Sequence, residues 1–266
     1  MPHRMRYARA LGLAIVALVV MLLPGAPTQA AGASYVALGD SYSSGVGTRT
    51  YIGDGTCQRS TYAFPYLLAQ QKGYVLDFQA CSGAKVSDVT GKQLAALTTS
   101  TRYVTLSVGG NDAGFGSVIL ECAKPDVFAN CSGAVTTAQG YINNTLPGSL
   151  ATLYASIRAK APNATVVVVG YPRLFMGEDC NAGTFFGASE MTKLNQTADL
   201  LNSKIAAAAA AKGFTFANPT SRFVGHAVCD DVEWLNGLSN PTGESYHPNR
   251  TGQSSGYTPL VSPLLV

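Results

Sequence analysis

Short apolar runs alternate along this chain with longer segments of helical periodicity, and this alternation limits the folds that the chain can adopt. The predicted strands are Tyr35–Leu38, Val75–Gln79, Tyr103–Val108, Thr165–Val169 and Thr215–Ala217. The predicted helices are Ala63–Lys72, Val86–Leu97, Ala134–Leu146, Gly148–Lys160 and Glu190–Lys212, and a last one with Pro248 in its first turn. Strands separated by helices indicate an α/β fold in which helices cover both faces of a parallel sheet.

The first 31 residues are predicted to be a secretory signal peptide rather than part of the fold. Three arginines among the first nine residues precede the apolar stretch Leu11–Leu23, and small residues follow as far as Ala33. An uncleaved membrane anchor is the alternative, but the apolar stretch is short for a membrane span. We predict cleavage after Ala30 or Ala31, with Ala33 as an alternative. Residues 32–266 form one predicted domain, which we expect to be secreted and extracellular.

The charge of the chain excludes several kinds of partner. Lys and Arg number 18 and Asp and Glu number 15, and three of the arginines lie in the predicted signal peptide. The remaining domain is therefore nearly neutral. A neutral domain is not expected to bind nucleic acid or to dock electrostatically on anionic membranes.

Six cysteines behind a signal peptide predict disulfide bonds. They are Cys57, Cys81, Cys122, Cys131, Cys180 and Cys229. The sequence alone allows about fifteen ways to pair them, although Cys122 and Cys131 are near enough to close a small loop. We expect no metal site, because the chain has no Cys-x-x-Cys pair, and no catalytic cysteine, because three bonds would use every thiol.

Ser41 follows the first predicted strand and is the first candidate for a catalytic residue. A serine at the end of a buried strand can act as a nucleophile if a positioned base takes its proton. Position 43 is a serine, so the segment is not the Gly-x-Ser-x-Gly motif of α/β-hydrolases. The alternative interpretation is a turn in which Asp40 caps the next helix. A phosphate-binding loop is excluded, because the glycine spacing matches no such motif.

The predicted mature chain contains two histidines, and one of them is a candidate base for this serine. His247 lies in the segment Ser245–Asn249, and imidazole titrates in the range that a general base requires. The alternative is a surface histidine at a helix start. His226 lies close to Cys229, where we expect a structural role in a loop that a disulfide holds.

Two further strand ends carry candidate oxyanion donors. Asn111 lies in Gly109-Gly110-Asn111-Asp112 after a predicted strand, and a side-chain amide at such a place can stabilise an oxyanion. The backbone N–H of Gly83 could be a second donor. Both segments could also be simple turns, which glycine and asparagine favour. A further strand end, Gly170–Pro172, also carries glycine beside a polar residue.

These elements stand along the chain in the order Gly39-Asp40-Ser41, Gly83, Gly109-Gly110-Asn111-Asp112 and His247-Pro248. The set and its order resemble the SGNH (GDSL) hydrolase family, in particular its secreted actinobacterial lipases, esterases and phospholipases A. The resemblance extends from Tyr35 to about Tyr257, and Tyr171-Pro172-Arg173 is similar to a segment of that subgroup. It implies a flavodoxin-like three-layer α/β/α sandwich with a mainly parallel sheet.

The same resemblance implies roles for single residues. Ser41 would be the nucleophile and His247 the general base, and the oxyanion hole would consist of the N–H groups of Ser41 and Gly83 with the side chain of Asn111. The implied disulfide pairs are Cys57–Cys81, Cys122–Cys131 and Cys180–Cys229.

The group that orients His247 is left open by the sequence. Many family members carry an acid, usually aspartate, three residues before the histidine, and here that residue is Glu244. Glutamate is one methylene longer, so it would need a different loop path. Close secreted relatives use a backbone carbonyl two residues before the histidine, which is that of Ser245 here. We favour the Ser245 carbonyl.

Together these features predict a serine esterase or lipase that hydrolyses acyl esters through an acyl-enzyme on Ser41, with His247 as the base. We expect an acyl-ester or lipid substrate, no cofactor, no metal, no nucleic-acid partner, no stable membrane anchor and a monomer. A carbohydrate O-deacetylase is the alternative among enzymes. A non-catalytic module that binds cell walls or carbohydrate on the same fold is the alternative of another class.

Overall fold

A computed structural model describes Met1, residues 32–53 and residues 55–266 of the chain. Its strands are β1 (Ser34–Gly39), β2 (Val75–Phe78), β3 (Tyr103–Ser107), β4 (Thr165–Val169) and β5 (Thr215–Ala217). They form a parallel sheet in the order β2-β1-β3-β4-β5. This is the flavodoxin-like strand order, and the predicted fold class is confirmed. The predicted signal peptide lies outside the described residues except for Met1, and it stays a prediction.

Helices flank the sheet in two groups. The α-helices are α1 (Ser41–Ser44), α2 (Phe64–Lys72), α3 (Val86–Asp88), α4 (Phe115–Cys122), α5 (Cys131–Asn144), α6 (Leu146–Lys160), α7 (Ala188–Ala211) and α8 (Thr258–Val261). Shorter 3-10 segments are Leu94–Ala96, Asp126–Phe128, Thr242–Glu244 and Ser262–Leu264, and π-helical segments are Val89–Gln93 and Gly252–Tyr257. Helices α4 to α7 pack on one another, while α2 packs on α8 and on the adjoining π-helical segment. The result is a three-layer arrangement.

The central strands are buried on both faces. Every residue of β3 is buried, and in β1 and β4 only the first residue is partly exposed. Apolar runs of this kind suit a parallel sheet that helices cover on both sides. Gly39 at the end of β1 pairs with Ser107 at the end of β3. The loops that follow these strands therefore meet at one edge, where ligands of such sheets bind.

The last helical stretch begins later than predicted. Pro248 forms an isolated antiparallel bridge with Leu235, so the prediction that places it in the first helical turn is wrong. Asn249 caps the helix instead: its side-chain oxygen accepts from the N–H of Gly252 at 2.9 Å, and its carbonyl accepts from Gln253 at 2.9 Å. Asparagine is a strong N-cap residue, so the helix starts after it.

The predicted helix Val86–Leu97 is not a continuous α-helix. After α3 the chain forms the π-helical turn and then the 3-10 turn. Gln93, in the π-helical turn, is buried and pairs with β1: it accepts from the N–H of Gly39 at 2.7 Å and donates to the Gly39 carbonyl at 2.9 Å. This long-range pairing is a tertiary constraint that local periodicity does not contain.

Disulfides close three loops among the described residues. The bonds are Cys57–Cys81, Cys122–Cys131 and Cys180–Cys229, the pairs that the family resemblance implied. No cysteine in this part of the chain is free. Within residues 32–53 and 55–266, no helix has the length and apolar character that crossing a membrane requires.

Candidate active site

The chain turns sharply between β1 and Ser41. Gly39 has a φ of +127°, and a Cβ atom there would lie 2.5 Å from the carbonyl oxygen of Ser107, so only glycine fits. Asp40 then caps α1, because its Oδ1 accepts from the N–H of Tyr42 at 3.1 Å. Ser41, the first residue of α1, is 7% exposed. The tight turn and the cap hold its hydroxyl at the carboxyl edge of the sheet.

Ser41 and His247 are 206 residues apart in sequence and in hydrogen-bond contact in the fold. Nε2 of His247 lies 2.9 Å from Oγ of Ser41. Nδ1 of the same ring lies 2.8 Å from the carbonyl oxygen of Ser245. A carbonyl can only accept, so Nδ1 carries the proton and Nε2 is left to accept from the serine hydroxyl.

The surroundings of His247 keep its ring neutral. Burial lowers the pKa of His247 below the ordinary 6.5, while the Ser245 carbonyl and the charge of Glu244 act in the opposite direction and raise it. The ring also packs against Tyr42, with the two ring centroids 5.3 Å apart, and against Phe115, at 6.2 Å. A neutral, packed imidazole can take a proton from Ser41 at pH 7.

Glu244 is buried close to this histidine but is paired elsewhere. It is 2% exposed, and its Oε1 accepts from the hydroxyl of Tyr51. Its Oε2 has no hydrogen-bond partner among the described residues. Of the two groups that the sequence left open, the Ser245 carbonyl is the one in contact with the ring of His247.

Asp40 is the centre of a buried hydrogen-bond network under Ser41. Besides the N–H of Tyr42, Oδ1 accepts from the hydroxyl of Ser107 at 2.7 Å, and Oδ2 accepts from that of Tyr171 at 2.5 Å. Burial raises the pKa of Asp40 to about 6, although these three donors lower it. The sequence pattern predicted Asp40 as a helix cap and predicted no role for Ser107. The signal for Tyr171 was its place at the end of β4.

Asn111 borders the same cavity as Ser41. Its Nδ2 donates to the carbonyl of Ala84 at 3.0 Å, which ties it to the turn that contains Gly83. Gly83 has a φ of +77°, a conformation that favours glycine. Its N–H has no acceptor among the described residues. Gly83 itself is not part of the cavity wall.

An apolar cavity, open to solvent at its mouth, lies beside Ser41. Helices α4, α5 and α7 supply much of its wall. The larger aliphatic and aromatic side chains from these helices are Phe115, Val118, Ile119, Ile142, Leu194 and Leu201. A cavity with this lining suits an apolar ligand.

His226 takes no part in this site. Its ring stacks on Trp234 with the centroids 3.7 Å apart, and its Nδ1 lies 2.8 Å from the carbonyl oxygen of Val232. The structural role expected for it agrees with these contacts. In the site itself, a hydroxyl, a neutral base and an apolar cavity lie side by side. This arrangement can carry out nucleophilic attack on an acyl group.

The comparisons with known proteins all indicate the same family. The profile described as "GDSL-like Lipase/Acylhydrolase family" matches residues 37–254. Lipase 1 of Streptomyces coelicolor is 46% identical over 239 residues, which cover 88% of this chain and 87% of that protein.

Two solved structures are similar over most of their length. The extracellular lipase of Streptomyces rimosus is 39% identical with a TM-score of 0.82, covering 88% of this chain and 100% of that one. Phospholipase A1 of Streptomyces albidoflavus is 44% identical with a TM-score of 0.82, covering 88% of this chain and 99% of that one.

Proposed function

We propose that Ser41 and His247 are the catalytic residues of this chain, which belongs to the GDSL-like lipase/acylhydrolase family and is an ester hydrolase. The observation that carries the proposal is the 2.9 Å contact between Oγ of Ser41 and Nε2 of His247 at the edge of an apolar cavity. The contact has the length and the partners that general-base activation of a serine requires.

In the first half of the reaction, Oγ of Ser41 attacks the ester carbonyl carbon and its proton passes to Nε2 of His247. The proton on Nδ1 stays bonded to the Ser245 carbonyl, which fixes the ring in the correct tautomer. The tetrahedral intermediate then collapses. His247 gives its proton to the leaving alkoxide, and the acyl group stays on Ser41.

The charge on the tetrahedral oxygen needs donors that are already in place. We assign this role to the N–H groups of Ser41 and Gly83 and to the side chain of Asn111. Two observations support the assignment: the N–H of Gly83 has no acceptor in the described part of the chain, and the bond from Asn111 to Ala84 orients the amide. A donor of this kind contributes about 3 kcal/mol to transition-state stabilisation.

Water completes the cycle. His247 takes a proton from a water molecule, which attacks the acyl carbonyl, and Ser41 leaves with the proton that His247 returns. Each step uses groups of this chain and the two substrates, an ester and water.

The acyl group of a lipid ester is the substrate part that we place in the cavity. The apolar wall of the cavity fits an acyl chain better than the acetylated sugar that a carbohydrate O-deacetylase would bind. It therefore favours a lipid esterase over an O-deacetylase. The relatives named lipase and phospholipase A1 point the same way. We further propose that residues 1–31 are a signal peptide and that the enzyme is secreted, as the extracellular lipase among the relatives suggests. We also propose that it acts as a monomer.

The test compares Ser41→Ala with Ser44→Ala, since Ser44 is a buried serine on the same helix. With p-nitrophenyl butyrate, Ser41→Ala should lose at least about a thousand-fold in kcat/KM, because the nucleophile is gone, and Ser44→Ala should stay within about three-fold of wild type. An organophosphonate should label the wild type and not Ser41→Ala. An unlabelled wild type would instead favour a non-catalytic module.

The acyl group is tested with p-nitrophenyl esters from acetyl to palmitoyl. Each added methylene that enters the cavity should raise kcat/KM by up to about four-fold, until the cavity is full. A maximum at acetyl would contradict the proposal and favour the O-deacetylase.

A further inference from the structure

Helices α4 and α5 pack on each other, and a short segment joins them. Val118 and Ile119 of α4 and Ala138 and Ile142 of α5 line the cavity beside Ser41. The segment that joins the helices, with the end of α4, is called here the α4–α5 tip and comprises residues 120–130. The tip is therefore continuous with the wall of the cavity in which we place the acyl chain.

Large apolar side chains project from this tip into solvent. Leu120 is 71% exposed, Val127 83% and Phe128 75%. Val127 and Phe128 are neighbours on the 3-10 turn Asp126–Phe128. Apolar groups of this size, clustered on one short segment, indicate a contact surface for an apolar partner.

The tip is held in place rather than left free. The disulfide Cys122–Cys131 joins the end of α4 to the start of α5, and both cysteines are buried. The N–H of Phe128 donates to the carbonyl of Pro125 at 2.8 Å, which closes the turn. A surface that is fixed before contact loses little conformational entropy on binding.

The charges of the tip nearly cancel. Lys124 forms an ion pair with Glu121, and the same carboxylate accepts from the N–H of Asn130. Asp126 is the remaining charge in the segment. Such a surface has no cationic cluster to favour an anionic membrane.

We propose that the α4–α5 tip inserts into the surface of zwitterionic phospholipid aggregates and so brings the cavity to its substrate. The inference rests on the proposed function, because it assumes that the acyl chain enters the cavity along α4 and α5. Leu120, Val127 and Phe128 enter the interface, while the disulfide keeps the tip in position.

Binding is measured with phosphatidylcholine vesicles in the Ser41→Ala background, where no lipid is consumed. The double variant Val127→Ser/Phe128→Ser should bind at least about ten-fold more weakly, because two large apolar groups no longer leave water. Val232→Ser is the control, since Val232 is 57% exposed and does not line the cavity. It should bind within about two-fold of its parent. Equal binding by the double variant and its parent would overturn the proposal.

Turnover is measured with Ser41 intact. The double variant should hydrolyse p-nitrophenyl butyrate below its solubility limit within about two-fold of wild type, and phosphatidylcholine vesicles at least about ten-fold more slowly. An equal loss on both substrates would overturn the proposal, because the tip would then shape the cavity rather than dock.

The remaining outcomes separate the two proposals. Hydrolysis of soluble esters without vesicle binding would refute docking and leave the proposed function standing. Failure to hydrolyse any ester would refute the proposed function, and the binding measurement would still decide on docking. A strong preference for anionic vesicles that salt removes, or a dimer in sedimentation that the double variant lacks, would also overturn docking.

Discussion

Asp40 and Glu244 both carry carboxyl groups with almost no exposed surface, at 1% and 2%. Each lies close in sequence to one member of the Ser41–His247 pair. Asp40 accepts hydrogen bonds from a main-chain N–H and from two hydroxyls. Glu244 accepts one hydrogen bond on Oε1, from Tyr51, and its other oxygen has no partner in the described part of the chain.

The difference shows that burial alone does not decide what a carboxyl group does in a site. Both oxygens of Asp40 accept hydrogen bonds. The carboxyl group therefore links the end of β1 to Ser107 on β3 and to Tyr171 after β4. Glu244 has fewer bonds and acts on His247 through its charge, which raises the pKa of the ring. We therefore expect changes at Asp40 to act mainly on stability and changes at Glu244 mainly on turnover.

The largest effect is expected for Asp40→Asn, and it depends on pH. Burial raises the pKa of Asp40 from 3.8 to about 6, so the folded protein binds this proton more tightly than the unfolded chain does. Ionising Asp40 therefore costs stability as the pH rises from about 4 to about 6, and the cost is roughly 3 kcal/mol above that range. An asparagine does not titrate and avoids this cost.

Urea unfolding at pH 4 and pH 7 measures the prediction. The stability of Asp40→Asn relative to wild type should increase by roughly 2 kcal/mol between the two pH values, whatever its absolute value. A difference that is constant with pH would mean that the two buried carboxyl groups do not differ in the way proposed.

A smaller effect is expected for Glu244→Gln. The substitution keeps the shape and an acceptor for Tyr51, but it removes the charge that favours the imidazolium in the transition state. We expect kcat to fall about ten-fold, because Nδ1 of His247 keeps its bond to the Ser245 carbonyl.

Steady-state kinetics test this, with Tyr51→Phe as the matched control. That variant removes the hydroxyl and keeps the carboxylate, so its kcat should stay closer to wild type than that of Glu244→Gln. A thousand-fold loss in a folded Glu244→Gln protein would make Glu244 the direct partner of the histidine and would remove the contrast with Asp40.

The smallest expected effect concerns the wild type: the pH at which kcat/KM falls on the acid side of its pH profile. Burial lowers the pKa of His247, and the base works only when it is neutral, so activity should persist to lower pH than an exposed histidine would allow. The midpoint of the acid limb of kcat/KM for a soluble ester should lie below 6.5. In Glu244→Gln it should move lower still. A midpoint above 7 in the wild type would contradict the neutral base.

The sheet could be predicted closely from the sequence because its strands are short apolar runs. Thr165–Val169 and Thr215–Ala217 have the predicted bounds, and the other strands differ by one residue at one or both ends. Helix α4 was not predicted, because it is short and contains Gly116 in its first turn. Local periodicity is a weak signal for such a segment.

The pairing of Ser41 with His247 was predicted from the order of the motifs. The hydrogen bonds that hold Asp40 next to Ser41 were not predicted. Ser107 and Tyr171 reach Asp40 from strand ends far away in sequence. Each is an ordinary polar residue in its own segment. The same holds for Gln93, whose bonds to Gly39 depend on the packed fold.

The separation of Ser41 from His247 also sets an order of assembly. A ribosome makes the sheet, Ser41 and helices α4, α5 and α7 before it reaches His247, and β5 already ends at Ala217. A nascent chain of that length carries the cavity wall and the serine but no base for it. With Ser41 and His247 as the proposed catalytic pair, ester cleavage becomes possible only after nearly all of the polypeptide has been synthesised.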